Sequence, residues 1–526
     1  LLCGSATYVI CSSTLPPPEN RTRMSEDVYD TELPDTAEEF YSNDAVTFCP
    51  RVHICKGLEE EDEDQGPWAC LPDILLEDIY AMVSIDDRYS MSQVCRNWYR
   101  VFFSPRVWMT FVLNDRALTR RKFNYYMGYQ HHLDHYRAHM CVHKIGRFIR
   151  HLVVPPMANF FNLYEFMVIM AYFGESSGSG HNPLAHLRNF EFTFGCMSSD
   201  GRQGQDNVFG TGGKLLESLK RLMRCFIGLR HLSLKDLLLD HKEAKYLLDD
   251  TVENTMVTLK SLRLINCTKE PYPLLHVGVF LNLNDLYLSP QHLDEDVVSL
   301  LGSTRLRNLH LVQTTHTEIG IRVSSRTWRE CKKSNPHLRV HLAVEGRVRK
   351  ELVWQDCAPV HSIVYRTPYN QVCPESALMA STIYATTLAC YAFLGLPKFH
   401  MAKRFVDRSD SALVLLCRSC PRLETLIIRE RVSTATVLLL AYYGQNLRQF
   451  VVRKNAIMKK CDWPQNVDWT DDFFVWLKLT SQSYDLVFKE VSRMMGVQWE
   501  PLTDKQFKAF ELRQDYTARN HDEYGD

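Results

Sequence analysis

Apolar positions fall into two regimes along this chain. Between Leu71 and Trp108 they recur at helical spacing. Leu75, Ile79 and Val83 stand at i, i+4 and i+8, with Ile74 beside them, and predict one apolar stripe on a first helix. Pro72 suits the first helical position, where its missing N–H costs nothing. Asp86-Asp87 reads as an acidic turn and cap before a second helix, on which Met91, Val94, Cys95 and Trp98 keep helical spacing. Ser104-Pro105 then breaks the chain, and Trp108 follows. A long helical stretch is expected over about 116–147.

Beyond it a different phrase returns, apolar-x-x-apolar-x-apolar. It is clearest at Leu229/Leu232/Leu234, Leu259/Leu262/Leu264, Leu283/Leu286/Leu288, Leu306/Leu309/Leu311, Leu423/Leu426/Ile428 and Leu447/Phe450/Val452. Weaker copies start at Ile149, Leu187, Leu338, Val360 and Leu388. The poorest is Leu338, with His341 where an apolar residue is expected. Starts lie about 22 to 42 residues apart, against about 20–29 for leucine-rich repeats, so longer gaps read as insertions. Cys267 and Asn455 extend two copies to the fuller signature, and Ser411 to Leu426 reads as helix, Cys-Pro, then strand. Each unit exposes an apolar edge that only a neighbour can cover, so stacking gives a continuous parallel sheet with helices outside. From about residue 460, Phe473, Phe474, Trp476, Leu477, Val487, Phe488 and Val491 predict helices that cap the open end.

Composition adds bounds. The 526 residues are 45% apolar and 23% charged, with net charge −1, so no global basic field points to nucleic acid or an acidic membrane. Seventeen cysteines in no framework spacing suit reduced thiols of the cytoplasm or nucleus. No run of about 18 uncharged apolar residues predicts a membrane span. Leu1 begins a poor signal peptide, and Met24 is the expected start of translation. The Pro16-Pro17-Pro18 cluster and the acidic run Glu59 to Asp64 predict a disordered, solvated arm.

Candidate chemistry is sparse. His131, His135, His139 and His143 stand at i, i+4, i+8 and i+12, which on one helix would bring pairs within zinc reach. No Glu follows in the zincin position, no fourth ligand is evident, and the series drifts around the helix, so an exposed polar face is expected. Cys417-x-x-Cys420 lacks a second pair and reads as packing between helix and strand. Gly210 to Lys214 falls short of a phosphate loop because Leu215 follows, and reads as a flexible insertion, as does Glu175 to Asn182. No Ser/His/Asp order or nucleophile elbow is present, and no catalytic residue, metal or cofactor is expected.

The ordered combination Leu71-Pro72, acidic turn, Val94-Cys95-Arg96-Asn97-Trp98 and Pro105-Arg106-Val107-Trp108 resembles an F-box. With the repeats behind it, over roughly 68–460, the chain resembles the F-box-only proteins with irregular leucine-rich repeats. The fold implied is α/β, a three-helix F-box followed by a leucine-rich-repeat solenoid. The organisation expected is a disordered arm (1–66), F-box (67–112), helical linker (113–147), repeat array (148–458), helical cap (459–513) and disordered tail (514–526). The resemblance implies a non-catalytic substrate receptor of a Skp–cullin–F-box ubiquitin ligase, whose F-box binds the Skp adaptor and through it the cullin–RING core. Adaptor-facing positions by resemblance are Leu71, Pro72, Ile74, Leu75, Ile79, Val94, Cys95, Trp98 and Trp108, of which Val94 and Trp98 could instead hold the module together. Residues between the inward leucines, namely His231, Ser233, Ser261, Arg263, Asp285, Tyr287, Asn308 and His310, are candidates to face a protein substrate. The alternatives are a leucine-rich-repeat interaction scaffold outside any ligase, which would capture partners but no adaptor, and a zinc enzyme on the histidine helix, which would carry stoichiometric metal.

Overall fold

A computed structural model describes residues 68–510 apart from 127, 176–181, 196–197, 200–206, 209, 349–350, 372 and 400. The arm at 1–66, the Ser/Gly loop at 176–181 and the tail at 514–526 therefore lie outside the described residues.

Three short helices open the described chain: α1 (Asp73–Met82), α2 (Ile85–Met91) and α3 (Arg96–Phe102), followed by a 3-10 turn at Pro105–Trp108. Pro72 stands just before α1 rather than inside it, and its carbonyl accepts from the amides of Leu75 and Leu76. The buried side of α1 is a second stripe, beside the one that Leu75 and Ile79 begin. Leu76 and Tyr80 are fully enclosed, while Leu75 faces out. The cap of α2 is Ser84, whose hydroxyl accepts from the Asp87 amide at 3.3 Å. Asp86-Asp87 thus lies within the first turn of α2, not before it. The continuous helix expected through Met91, Val94 and Trp98 is broken between α2 and α3, so that Val94 and Cys95 sit in a connection.

The long helix expected over 116–147 is also corrected. Thr119–Asn124 and Gly128–Leu133 form an antiparallel hairpin, and only His135–Ile145 is helical. Gly128 takes φ +72°, which L side chains rarely adopt, at the turn. His131 therefore lies on a strand, separated from the helical His135, His139 and His143. Among the described residues, no three His, Cys, Asp or Glu side chains are grouped to hold a metal ion.

Twelve parallel strands make one sheet, in strict chain order. They are Thr110–Val112, His151–Val154, Asn189–Thr193, His231–Lys235, Ser261–Ile265, Asp285–Leu288, Asn308–Gln313, Arg339–Glu345, Val360–Arg366, Cys390–Leu394, Thr425–Ile428 and Gln449–Val452. Each copy of the recurring phrase contributes one strand, and Thr110–Val112 is an additional first strand. The leucines of the phrase stand in rows, such as Leu232, Leu262, Leu286, Leu309 and Val340, and are buried in one continuous core. That core is shared with the connecting helices, through Leu219 and Leu222, Val297 and Leu301, Trp328, Leu413 and Leu416, and Leu438. Among the described residues, helices thus cover the sheet's leucine face, while the opposite face is left open apart from the last strands.

The poor copy at Leu338 is explained by a frame shift. Val340, Leu342 and Val344 are the buried positions, and the register with the next strand slips between Val340 and His341. His341 therefore belongs to the open face. Asparagines at the corner before a strand tie units together. Asn282, Asn335 and Asn446 donate their side-chain amides to carbonyls of the preceding unit, those of Val257, Leu306 and Pro421, at 2.7, 2.8 and 2.6 Å. These bonds satisfy backbone groups that the turn would otherwise leave unpaired.

Cys417 and Cys420 are both buried, and burial pushes their thiols up to about 12 and about 11. Gly210 to Lys214 is not a free insertion. Thr211 is buried and bonds the Leu237 carbonyl at 2.9 Å, and the Gly213 amide donates to Glu243 at 3.0 Å.

Past the last strand, Trp499 stacks on Phe450 at 5.4 Å and donates to its carbonyl at 2.7 Å. The Leu502 amide donates to the Val452 carbonyl at 2.9 Å. Phe507 then turns onto the open face and packs with Ala392, Leu394 and Ile427 in a separate small core. No helix among the described residues is long and apolar enough to cross a membrane.

Candidate functional site

Two surfaces carry the sequence-predicted residues. The first is the three-helix module. Its interior is Leu76, Tyr80, Trp98, Val101, Val107 and Trp108. The Tyr80 hydroxyl donates to the Trp98 carbonyl at 3.0 Å, and the Trp98 indole donates to the Trp68 carbonyl at 2.9 Å. Arg88 is buried under Trp108, its guanidinium carbon 5.3 Å from the ring centroid. It donates to the carbonyls of Val107 at 2.7 Å and Val83 at 3.1 Å. This arginine closes the turn after α1 onto the end of the module. Desolvation lowers its pKa. Sequence reading missed it; an arginine in an apolar helical pattern was the available signal.

The nine predicted adaptor residues divide by exposure. Ile74 at 63%, Leu75 at 49% and Val94 at 64% are open to solvent, with Pro72 also exposed. Leu71, Ile79 and Cys95 are half-buried against the core. Trp98 at 8% and Trp108 at 2% are interior, so they hold the module together and cannot be docking anchors without unpacking it. Asn97 brings the exposed set together. Its side-chain amide donates to the carbonyls of Ala69 and Leu71 at 3.2 and 3.1 Å. The Leu71-Pro72 entry is thereby held against the start of α3, beside Val94-Cys95. Arg100 reinforces that end with two bonds to Asp73, at 2.8 and 2.5 Å. Met82 and Tyr89 are further exposed apolar side chains that sequence reading did not select.

The second surface is the open face of the sheet. Register puts His231, Ser261, Asp285 and Asn308 in one row, and Ser233, Arg263, Tyr287 and His310 in the next. All eight therefore share one face, although Ser233 and Ser261 are buried there. Flat groups stack along the second row. The Arg263 guanidinium lies 4.1 Å from the Tyr287 centroid, Tyr287 lies 4.0 Å from His310, and His310 lies 4.4 Å from His341. His361 meets His341 edge-on at 5.7 Å. Asn308 donates to Asp285 at 2.7 Å, and His341 bonds Ser362 at 2.7 Å. Burial holds His231 down at about 4 and His341 at about 3, and pushes His310 well below its ordinary range, the neighbouring imidazole adding to it. These rings are neutral at physiological pH. Toward the first strands the face becomes charged. Glu191, hydrogen-bonded to His151 at 3.2 Å, is held at about 2 by that bond against its burial, with Arg263 and Lys235 assisting. His151, Glu191, Lys235, His341 and His361 were missed because their units match the repeat phrase weakly or, for Lys235, lie past its last leucine.

A family model described as F-box-like matches residues 68–114, the segment that folds as the three-helix module and its first strand. The chain therefore carries an F-box-like domain followed by a mixed α/β region with a twelve-stranded parallel sheet. F-box domains bind Skp-type adaptors and are generally found in non-catalytic subunits, which supports a role as an F-box adaptor in complexes of the Skp–cullin–F-box type.

Proposed function

We propose that this chain is the substrate receptor of such a ubiquitin ligase, working in the cytoplasm or nucleus. The F-box-like module is the adaptor end, with Pro72, Ile74, Leu75 and Val94 as its contact face. The sheet is the substrate end, an irregular leucine-rich-repeat solenoid whose open face holds a protein. The carrying observation is the match over 68–114 to a module that leaves Ile74, Leu75 and Val94 uncovered beside one pinned turn. A monomeric three-helix unit gains nothing from solvent-facing isoleucine and leucine, whereas a docking face does.

Mechanism on this reading is positioning. The adaptor fixes the F-box to the cullin scaffold, and the repeat surface brings a substrate lysine near a ubiquitin thioester, raising its effective concentration. A single continuous sheet suits the task, because twelve strands sharing one core link the F-box end to the repeat surface.

The test is co-purification of the full chain with the Skp adaptor. Leu71→Ala with Pro72→Ala should reduce adaptor recovery by roughly tenfold or more, the scale of one lost hot spot. Unchanged recovery would remove the docking claim and favour a scaffold outside any ligase.

A further inference from the structure

A basic cleft of about 580 Å³ lies below the starts of the last five strands and meets the end of the ring row at His361. Lys332, Arg339, Arg422 and Arg448 line it with His361, and Glu424 is its one carboxylate. Among the described residues only Arg448 of these cations is ion-paired, to Glu424 at 3.7 Å, and that pair is largely exposed. His361 feels the cluster. Its pKa is lowered by burial and then by the positive charges of Arg339 and Arg422, against Glu424. In a chain of net charge −1, three cations around a concavity with no ion pair among the described residues call for an explanation.

Spacing indicates what fits. The backbone ladder links Ala389 to His361, Glu424 to Ala389 and Arg448 to Glu424, each at 2.8 Å, so these residues follow one another strand by strand. Strands lie about 4.8 Å apart, which puts Arg339 and Arg448, four strands from each other, about 19 Å apart. A lone phosphate cannot bridge that span. An extended peptide, at about 3.3 Å per residue, covers it with about six residues. Charge is placed at the two ends, with Ala389 between them. A continuous polyanion fits less well, since Glu424 would oppose it and no Phe, Tyr or Trp lines the cleft to stack a base.

We propose that this cleft binds an extended protein segment bearing anionic side chains at two points about six residues apart, with neutral residues between. Arginine suits both carboxylate and phosphoryl groups through paired N–H donors, so either source has the same chemistry. The inference rests on the reading of the sheet as the substrate end.

The experiment titrates full chain, co-purified with adaptor, into fluorescein-labelled peptides of about eight residues. One carries paired glutamates at both ends around alanine and glycine, one has glutamine in their place, and one has phosphoserine. A thymidine oligonucleotide of similar length is the nucleic-acid arm. The glutamate peptide should bind at least tenfold more tightly than the glutamine peptide. Arg339→Glu with Arg422→Glu should remove that difference, while Arg326→Glu should not, since that exposed residue of the helix Ser325–Ser334 does not line the cleft. Tighter phosphoserine binding would identify a phosphorylated segment as the source, and equal or weaker binding an Asp/Glu segment; both support the site. Equal binding of glutamate and glutamine peptides, or an intact difference in the double variant, would overturn it. So would displacement of the glutamate peptide by equimolar oligonucleotide. Adaptor recovery and melting temperature are read on each variant. A well-folded, adaptor-bound protein that ignores the peptide refutes the cleft alone, whereas lost adaptor binding by wild type refutes the receptor reading alone.

Discussion

Val94→Asp should separate docking from folding. Val94 lies in the connection between α2 and α3 with 64% of its surface exposed. Substitution there should change stability by no more than about 0.5 kcal/mol, as at other exposed sites. In a docked complex the balance differs. Burying a valine contributes about 1.5 kcal/mol when complete, so the exposed part represents about 1 kcal/mol of lost contact. Placing an unpaired carboxylate in the same interface adds about 2–3 kcal/mol of desolvation. The sum, about 3–4 kcal/mol, corresponds to a fall in affinity of about 150- to 700-fold. Calorimetric titration of purified adaptor, with a thermal melt of the same preparation, reads both quantities. A loss of less than threefold with an unchanged melt would show that Val94 lies outside the interface. A melt lowered by more than about 5 °C would instead make it a folding residue.

Trp98→Ala should do the reverse, costing about 3–5 kcal/mol of module stability from the cavity it leaves and removing the Trp68 tie, with adaptor loss tracking unfolding in hydrogen exchange. Phe507→Ala should lower the melting temperature and deprotect the amides of Cys390–Leu394 and Thr425–Ile428, because it empties the small core on the open face. Acidification should destabilise the sheet. With folded His341 at about 3 and an unfolded imidazole near 6.5, the unfolded chain binds more protons between those values, so stability falls as pH drops through that window. His341→Asn should flatten the slope of melting temperature against pH between about 6.5 and 4, and an unchanged slope would show that His341 does not titrate on unfolding.

The sheet was largely legible because its signal is redundant. Each copy places three apolar residues at fixed spacing, and neighbours repeat it. Thr110–Val112 was missed because three residues carry too little pattern, Phe111 alone being buried among them. The hairpin was missed for a different reason. Histidines at i, i+4, i+8 and i+12 imitate a helix, while the strand alternation of Arg121 and Phe123 opposite His131 and Tyr129 reaches the core only at its end, through Leu133. Its informative residue was Gly128, at the turn. At Leu338 the phrase was read in the wrong frame. A histidine in a leucine slot signalled a one-residue shift, and restoring the frame moves His341 onto the stacked row.

In α1 the division of apolar residues bears on function. Ile74, Leu75, Leu76 and Ile79 are all apolar, so periodicity alone allows more than one buried stripe. Tyr80 decides between them, since its ring fills the interior while its hydroxyl reaches the Trp98 carbonyl. That register consumes Leu76 and leaves Ile74 and Leu75 outside. A helix this short cannot bury both stripes against two small partners, so part of its apolar content exceeds what the module's own core can use. An apolar surplus is costly to solubility unless a partner covers it. The surplus falls beside the turn that Asn97 and Arg100 pin, where Pro72 and Val94 are also uncovered. Fold and docking thus draw on the same run of apolar residues, and only the packed core shows which residues serve which purpose.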